Sequence, residues 1–187
     1  EGERLLFLHG AGGRGPWHPF LEQLAQHYDV IAPEHPGFGR SDEPEWLEEI
    51  YDLVLFYRDF LDQFNLEKVH LVGHSLGGWL AAEFAVAYRE RLHSLTLVDA
   101  AGIFVPGVMM GDNFMWNWEE RVKNLYHDEK LVEEILSRPL SSEEMDVLVK
   151  NNETAAKLAW NPRWHNPKLK KRLDRITVPT LVVWGEN

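Results

Sequence analysis

Gly73-His74-Ser75-Leu76-Gly77 sets a serine between two glycines, each two residues away. A serine hydroxyl is a weak nucleophile until a base takes its proton and its oxygen is presented clear of the backbone. A tight turn from strand into helix does the presenting. The serine sits at the apex in a strained conformation, and the residues two before and two after it crowd together, so both must be glycine. Gly73 and Gly77 meet that requirement. A helix starting at Leu76 adds unpaired N–H groups and the positive end of its dipole, aimed where an oxyanion would develop. The chemistry this corner suits is nucleophilic catalysis by the Ser75 oxygen.

Such a corner needs a strand before it and a helix after it, and the apolar periodicity predicts both. Residues 69–72 read as a strand and residues 76–89 as a helix. Upstream, the apolar run at residues 4–8 enters the glycine-rich turn His9-Gly10-Ala11-Gly12-Gly13. Trp17, Phe20, Leu21, Leu24 and Tyr28 recur at helical spacing, and residues 29–32 read as a strand leading into the loop PEHPGFGRSDEP. Trp46, Ile50, Leu53, Val54, Tyr57, Phe60, Leu61 and Phe64 predict a longer amphipathic helix. Strands follow at residues 95–98 and 180–184. This alternation implies an α/β fold: a mostly parallel sheet with helices on both faces, its short Val- and Leu-rich strands buried on both sides.

Between residues 103 and 175 the strand rhythm stops. Helices are predicted near residues 113–126, 129–136 and 141–158, the last opened by Ser141 with Glu143 and Glu144 in its first turn. Pro139, Pro162 and Pro167 punctuate the segment. The expected organisation is therefore a core of residues 1–102 and 176–187, interrupted by a helical cap at 103–175.

The chain has 187 residues, 44% hydrophobic and 26% charged, with 30 acidic against 19 basic side chains and a formal net charge of -11. That balance argues against nucleic acid or an anionic membrane as partner, since both need a cationic face. With no cysteine there is neither a disulfide framework nor a thiolate zinc site. The nine histidines form no helical ligand pair, so no metal and no cofactor is expected. No apolar run approaches the roughly 18 to 20 residues of a membrane span. No signal peptide is visible and the cytoplasm is the default location; the chain opens on Glu1 without Met, so any leader would precede it. The sequence leaves the oligomeric state open. Asn152-Glu153-Thr154 fits a glycosylation sequon inside a helical stretch.

The chain resembles the α/β-hydrolase superfamily, in its cap-bearing branch of meta-cleavage carbon–carbon hydrolases, esterases and perhydrolases. LLFLHGAGG resembles that family's strand and oxyanion loop, VIAPEHPGFGRSD the loop after its next strand, LVGHSLGG its nucleophile elbow, and RLDRITVPTLVVWGEN the strand after its cap. The resemblance implies Ser75 as nucleophile, with an oxyanion hole from the backbone N–H of Leu76 and of Ala11, Gly12 being the alternative donor. It implies acyl chemistry, because relatives that attack alkyl halides or epoxides carry an aspartate at that corner. His9 reads as a structural residue shaping the oxyanion turn, and His74 as a pocket wall. Met109, Met110, Phe114, Trp116, Trp118, Trp160 and Trp164 enrich the cap in large apolar side chains. Phe114, Trp116 and Trp118 are the expected lining of an apolar pocket for a small to medium apolar or aromatic acyl substrate, against the alternative that such residues only seal the cap to the core.

The triad order in this fold is Ser, then Asp or Glu, then His. The resemblance implies the acid at the position after Asn187 and the histidine further on, with one or two strands ahead of residue 4. The chain thus reads as part of a longer hydrolase, nearly inactive alone. Asp99 is the alternative acid within these residues, and Glu186 falls one position short. His93, His127 and His165 are the histidines after Ser75, none of them well placed as the base. The rival function is a non-catalytic ligand receptor that keeps the same corner and uses the pocket for sensing.

Overall fold

The computed structural model describes residues 2–108 and 110–186; Met109, counted above among the apolar cap residues, lies outside the described residues, as do Glu1 and Asn187. Five strands, β1 (Arg4–Leu8), β2 (Asp29–Ile31), β3 (Val69–His74), β4 (Leu92–Val98) and β5 (Thr180–Val183), form one sheet in the order β2-β1-β3-β4-β5. All four pairings are parallel. The pleat of β1 explains its apolar run. Leu5 and Phe7 pack with Leu21 of α1 (Pro19–Ala25) on one face, while Leu6 and Leu8 join the main core on the other. That core holds the stripes of α2 (Ile50–Gln63) and α3 (Leu76–Tyr88). Helix α3 is apolar nearly all round and is buried along most of its length, as a helix in the middle of a layered fold must be.

Several boundaries differ from those the periodicity predicts. Helix α1 begins at Pro19 instead of Trp17, because Pro at the first helical position pre-sets the backbone angle and lacks only an N–H that would be unpaired there. Helix α2 begins at Ile50, where Glu49 and Asp52 form a capping box; Trp46 lies before it and stacks on Phe56. Strand β3 runs on to His74, and β4 begins at Leu92, three residues earlier than its apolar run.

The segment at 103–175 carries α4 (Trp118–Leu125), α5 (Glu129–Ser137), α6 (Ser142–Ala159) and a 3-10 helix (Leu169–Arg175). Helix α4 is shorter than the predicted 113–126 because Asn117 and Glu120 cap each other at its start, leaving Phe114 and Trp116 in the preceding turn. Ser141 and Glu144 form the same box before α6. The buried residues of α6, Asn151, Thr154, Ala155, Leu158 and Ala159, lie on one face turned to the core, and two of the five are polar. No helix of the described residues is long and apolar enough to cross a membrane.

Candidate active site

Strand β3 delivers the chain to Ser75 and α3 takes it away. Ser75 has φ 53° and ψ -115°, a positive φ that a residue with a side chain adopts only under constraint. The constraints are visible. Its N–H donates to the Val98 carbonyl at 2.9 Å, and its own carbonyl accepts from Trp79 at 3.0 Å and Ala101 at 3.1 Å. Both flanking glycines are sterically required. A Cβ at Gly73 would lie 2.3 Å from the Gly77 carbonyl oxygen, and one at Gly77 would lie 2.2 Å from the carbonyl oxygen of Leu8. Ser75 occupies the N-cap position of α3, yet its hydroxyl makes no capping bond, so the oxygen is free. Leu76 opens the helix with an N–H that has no intrahelical acceptor.

The glycine-rich turn after β1 faces this corner. A Cβ on Gly10 would stand 3.2 Å from Ser75 Cβ and 3.1 Å from His74 Nδ1, so the turn touches both side chains. Ala11 is buried. Among the described residues, neither the Ala11 N–H nor the Gly12 N–H donates a hydrogen bond, whereas the Gly13 N–H closes the turn onto the Gly10 carbonyl at 3.0 Å. Ala11 and Gly12, in the turn that touches Ser75 through Gly10, and Leu76, next to Ser75, thus carry N–H groups without a hydrogen-bond acceptor among the described residues.

Beneath the turn lies a buried polar network that periodicity does not reveal. The Tyr57 hydroxyl donates to His35 Nδ1 at 2.6 Å, and His35 Nε2–H donates to the His9 carbonyl at 2.9 Å. The His35 backbone N–H donates to His9 Nε2 at 2.9 Å, and His9 Nδ1–H donates to the Gly10 carbonyl at 2.8 Å. Every ring nitrogen is used: His9 must be neutral, because its Nε2 accepts an N–H, and a neutral His35 accepts the Tyr57 proton. Burial, the largest cause, agrees: it pulls His9 down to about 4 and His35 well below the ordinary histidine value, and it pushes the Tyr57 hydroxyl up. His9 therefore shapes the turn. His35 and Tyr57 went unrecognised as supports; the one local signal was a histidine within the loop PEHPGFG, next to a proline.

His74, just before Ser75, is lowered by loss of water around its ring, with the Asp99 carboxylate acting in the opposite direction. Asp99 itself has φ 45°, and its Oδ1 accepts the Gly185 N–H at 2.8 Å. It pins the end of β5 to the end of β4. His93 lies at the start of β4, the end away from Ser75, where its ring is 5.3 Å from that of His70. His165 is paired with Gly102 and donates from Nδ1 to the Arg163 carbonyl at 2.8 Å. Among the described residues no hydrogen bond reaches Ser75 Oγ, and no group of three or more His, Asp or Glu side chains is placed to hold a metal ion.

The three residues expected to line the pocket have different immediate surroundings. Phe114 stacks on Trp164 at 4.5 Å between ring centroids and lies 5.4 Å from Trp160. Trp116 covers Gly111, where a Cβ would come within 2.6 Å of the indole. Trp118 is 39% exposed in the first turn of α4. Phe114 thus belongs to an aromatic cluster with Trp160 and Trp164, and that cluster is tied to the core through the Trp164 carbonyl, which accepts the Gly102 N–H at 3.0 Å.

Residues 3–187 match the family model described as alpha/beta hydrolase fold. The chain is 30% identical over 209 residues to the 2-hydroxy-6-oxo-6-phenylhexa-2,4-dienoate hydrolase of Comamonas testosteroni, a match covering 100% of this chain and 72% of that one. It is 36% identical over 132 residues to the pimeloyl acyl-carrier-protein methyl ester esterase of Aeromonas salmonicida, covering 62% of this chain and 48% of that one. A solved meta-cleavage product hydrolase from Pseudomonas fluorescens superposes with a TM-score of 0.74 at 26% identity, over 100% of this chain and 74% of that one. The matches to four further curated relatives span 28% to 30% of those proteins' length.

Proposed function

The chain belongs to the alpha/beta hydrolase fold family, and from that premise we propose that it is the catalytic core of a serine hydrolase working through an acyl-enzyme. The observation that carries this reading is the state of Ser75: it is held at positive φ on a helix N-terminus, with a hydroxyl that caps nothing. Ser75 Oγ attacks the substrate carbonyl carbon and gives up its proton to a base, and the carbonyl oxygen becomes an oxyanion. The N–H groups of Leu76 and of Ala11, or Gly12, receive that oxyanion. Its collapse expels the leaving group, and water then releases the acyl group from Ser75.

The substrate is a small to medium apolar or aromatic carbonyl compound, cut at an ester or a carbon–carbon bond. Relatives named as a phenylhexadienoate hydrolase and as a methyl ester esterase support this range. No described imidazole is hydrogen-bonded to Ser75 Oγ, so residues 1–187 alone are expected to turn over slowly.

The test is labelling of the intact protein with a fluorophosphonate, beside hydrolysis of p-nitrophenyl butyrate. Rapid labelling that Ser75→Ala abolishes, with loss of turnover, is the expected result. An intact protein that binds apolar carbonyl compounds but neither labels nor turns over is a receptor, and the hydrolase reading falls.

A further inference from the structure

The turn at His9-Gly10-Ala11-Gly12-Gly13 is rich in glycine, which leaves its backbone little intrinsic preference for one shape. Packing does not fix Gly12, where a Cβ would meet nothing within 4 Å. His35 holds the near end through His9. What holds the far end comes from the cap. Asn151, on the buried face of α6 and 1% exposed, donates from Nδ2 to the Gly12 carbonyl at 2.8 Å. Its Oδ1 accepts the Gly39 N–H at 2.8 Å. Because one partner is a backbone donor and the other a backbone acceptor, the amide's orientation is determined by the network. The fit is close: a Cβ on Gly13 would stand 2.7 Å from Asn151 Nδ2.

We propose that Asn151 is a positioning residue through which docking of the cap sets the shape of the oxyanion loop, an inference that rests on the serine-hydrolase reading above. Asn151 on its carbonyl and the Gly10 carbonyl on its N–H hold the Gly12–Gly13 peptide plane from both sides, and with that end fixed the adjoining Ala11 and Gly12 N–H groups keep one orientation beside Ser75. With α6 displaced, the same glycines let the turn relax and the hole disperses. The cap then does more than cover substrate: its arrival completes the electrostatic half of the site. Thr154, one turn further along α6, makes a bond of similar kind, from Oγ1 to the Gly37 carbonyl at 2.7 Å, but to a different loop. It separates positioning from mere attachment.

The experiment compares the intact wild-type protein with Asn151→Asp and Thr154→Val. Asn151→Asp keeps the acceptor for Gly39 and replaces the donor to Gly12 with an opposing oxygen; Asn151→Ala, which adds no charge, is the second variant should the first fail to fold. Turnover of p-nitrophenyl butyrate and hydrogen exchange at the Gly13 amide are measured. Expected for either Asn151 variant is a fall in kcat of roughly tenfold or more with KM within about twofold, and faster exchange at Gly13. Thr154→Val is expected to keep both kcat and Gly13 exchange. Equal effects of the Asn151 and Thr154 variants on kcat and on Gly13 exchange overturn the proposal, because attachment alone would then account for both. If fluorophosphonate does not label the wild-type protein, the hydrolase reading fails separately, and Gly13 exchange still decides whether Asn151 holds the loop.

Discussion

His35 grips His9 twice: its backbone N–H donates to His9 Nε2 and its ring Nε2–H donates to the His9 carbonyl, both at 2.9 Å. The two rings lie 3.8 Å apart between centroids, and Tyr57 closes the network from α2. Two neutral imidazoles thus form the floor of the glycine-rich turn at residues 9–13. Because both rings are held neutral by burial, the stability of the fold depends on pH.

Burial holds His9 at about 4 and His35 well below its ordinary value, while in the unfolded chain both titrate near 6.5. Between these values the unfolded chain takes up protons that the folded one refuses, so stability is full above about pH 6.5 and falls as pH drops toward 4. His9 alone contributes about 3 kcal/mol across that window. Denaturant unfolding between pH 7.5 and 4.5, at about half-unit steps, measures the slope. His9→Asn is expected to reduce proton uptake on unfolding by about one, and an unchanged slope would count against the assignment of neutral histidines.

Tyr57→Phe removes the hydroxyl that donates to His35 Nδ1 and leaves a buried acceptor without a partner. The expected cost is about 1 to 3 kcal/mol of unfolding free energy, because the lone pair loses its bond with no water to replace it. Urea denaturation measures it, and a change under about 0.5 kcal/mol would show that the network tolerates the gap.

Gly77→Ala drives a methyl to within 2.2 Å of the Leu8 carbonyl and 2.5 Å of the His9 carbonyl, both backbone atoms of β1 and its exit. Neither can yield without shifting the central strand or the helix. The expected result is a loss of at least about 2 kcal/mol and a displaced Ser75, read by thermal unfolding and by a slowed fluorophosphonate reaction. A stable variant with wild-type labelling would contradict the close approach.

Ser75→Gly relieves the positive φ at the corner, and Ser75→Ala does not. The glycine variant is expected to be more stable than the alanine variant by about 1 kcal/mol, though both lose the nucleophile. Equal stability would mean that the corner stores no strain.

How much of this was legible beforehand follows from the distance over which each signal acts. The strands and the serine corner are written locally: Leu and Val runs, then Gly73, Ser75 and Gly77 within five residues. The helix starts were written too, in pairs such as Asn117 with Glu120 and in Pro19, but the apolar stripe extended past them. Trp17 and Trp46 fit the period and lie outside their helices because Pro19 and the Glu49–Asp52 capping box, not hydrophobicity, decide where those helices begin. Trp118 opens α4 and is left 39% exposed. The supports of the oxyanion turn were hidden for another reason. His9 and His35 are 26 residues apart, and Asn151 is 139 residues from Gly12; no periodicity connects such pairs.

That separation of 139 residues between Asn151 and Gly12 also bears on the order in which the site assembles. Contacts so far apart in the chain close late, since the entropy of ordering the intervening segment comes before their reward. The corner at Ser75 can form as soon as β3, α3 and β4 have met. The turn facing it acquires its final clamp only after α6 has been made and has docked. The expected order of assembly therefore puts the strained serine before the clamp on the turn beside it.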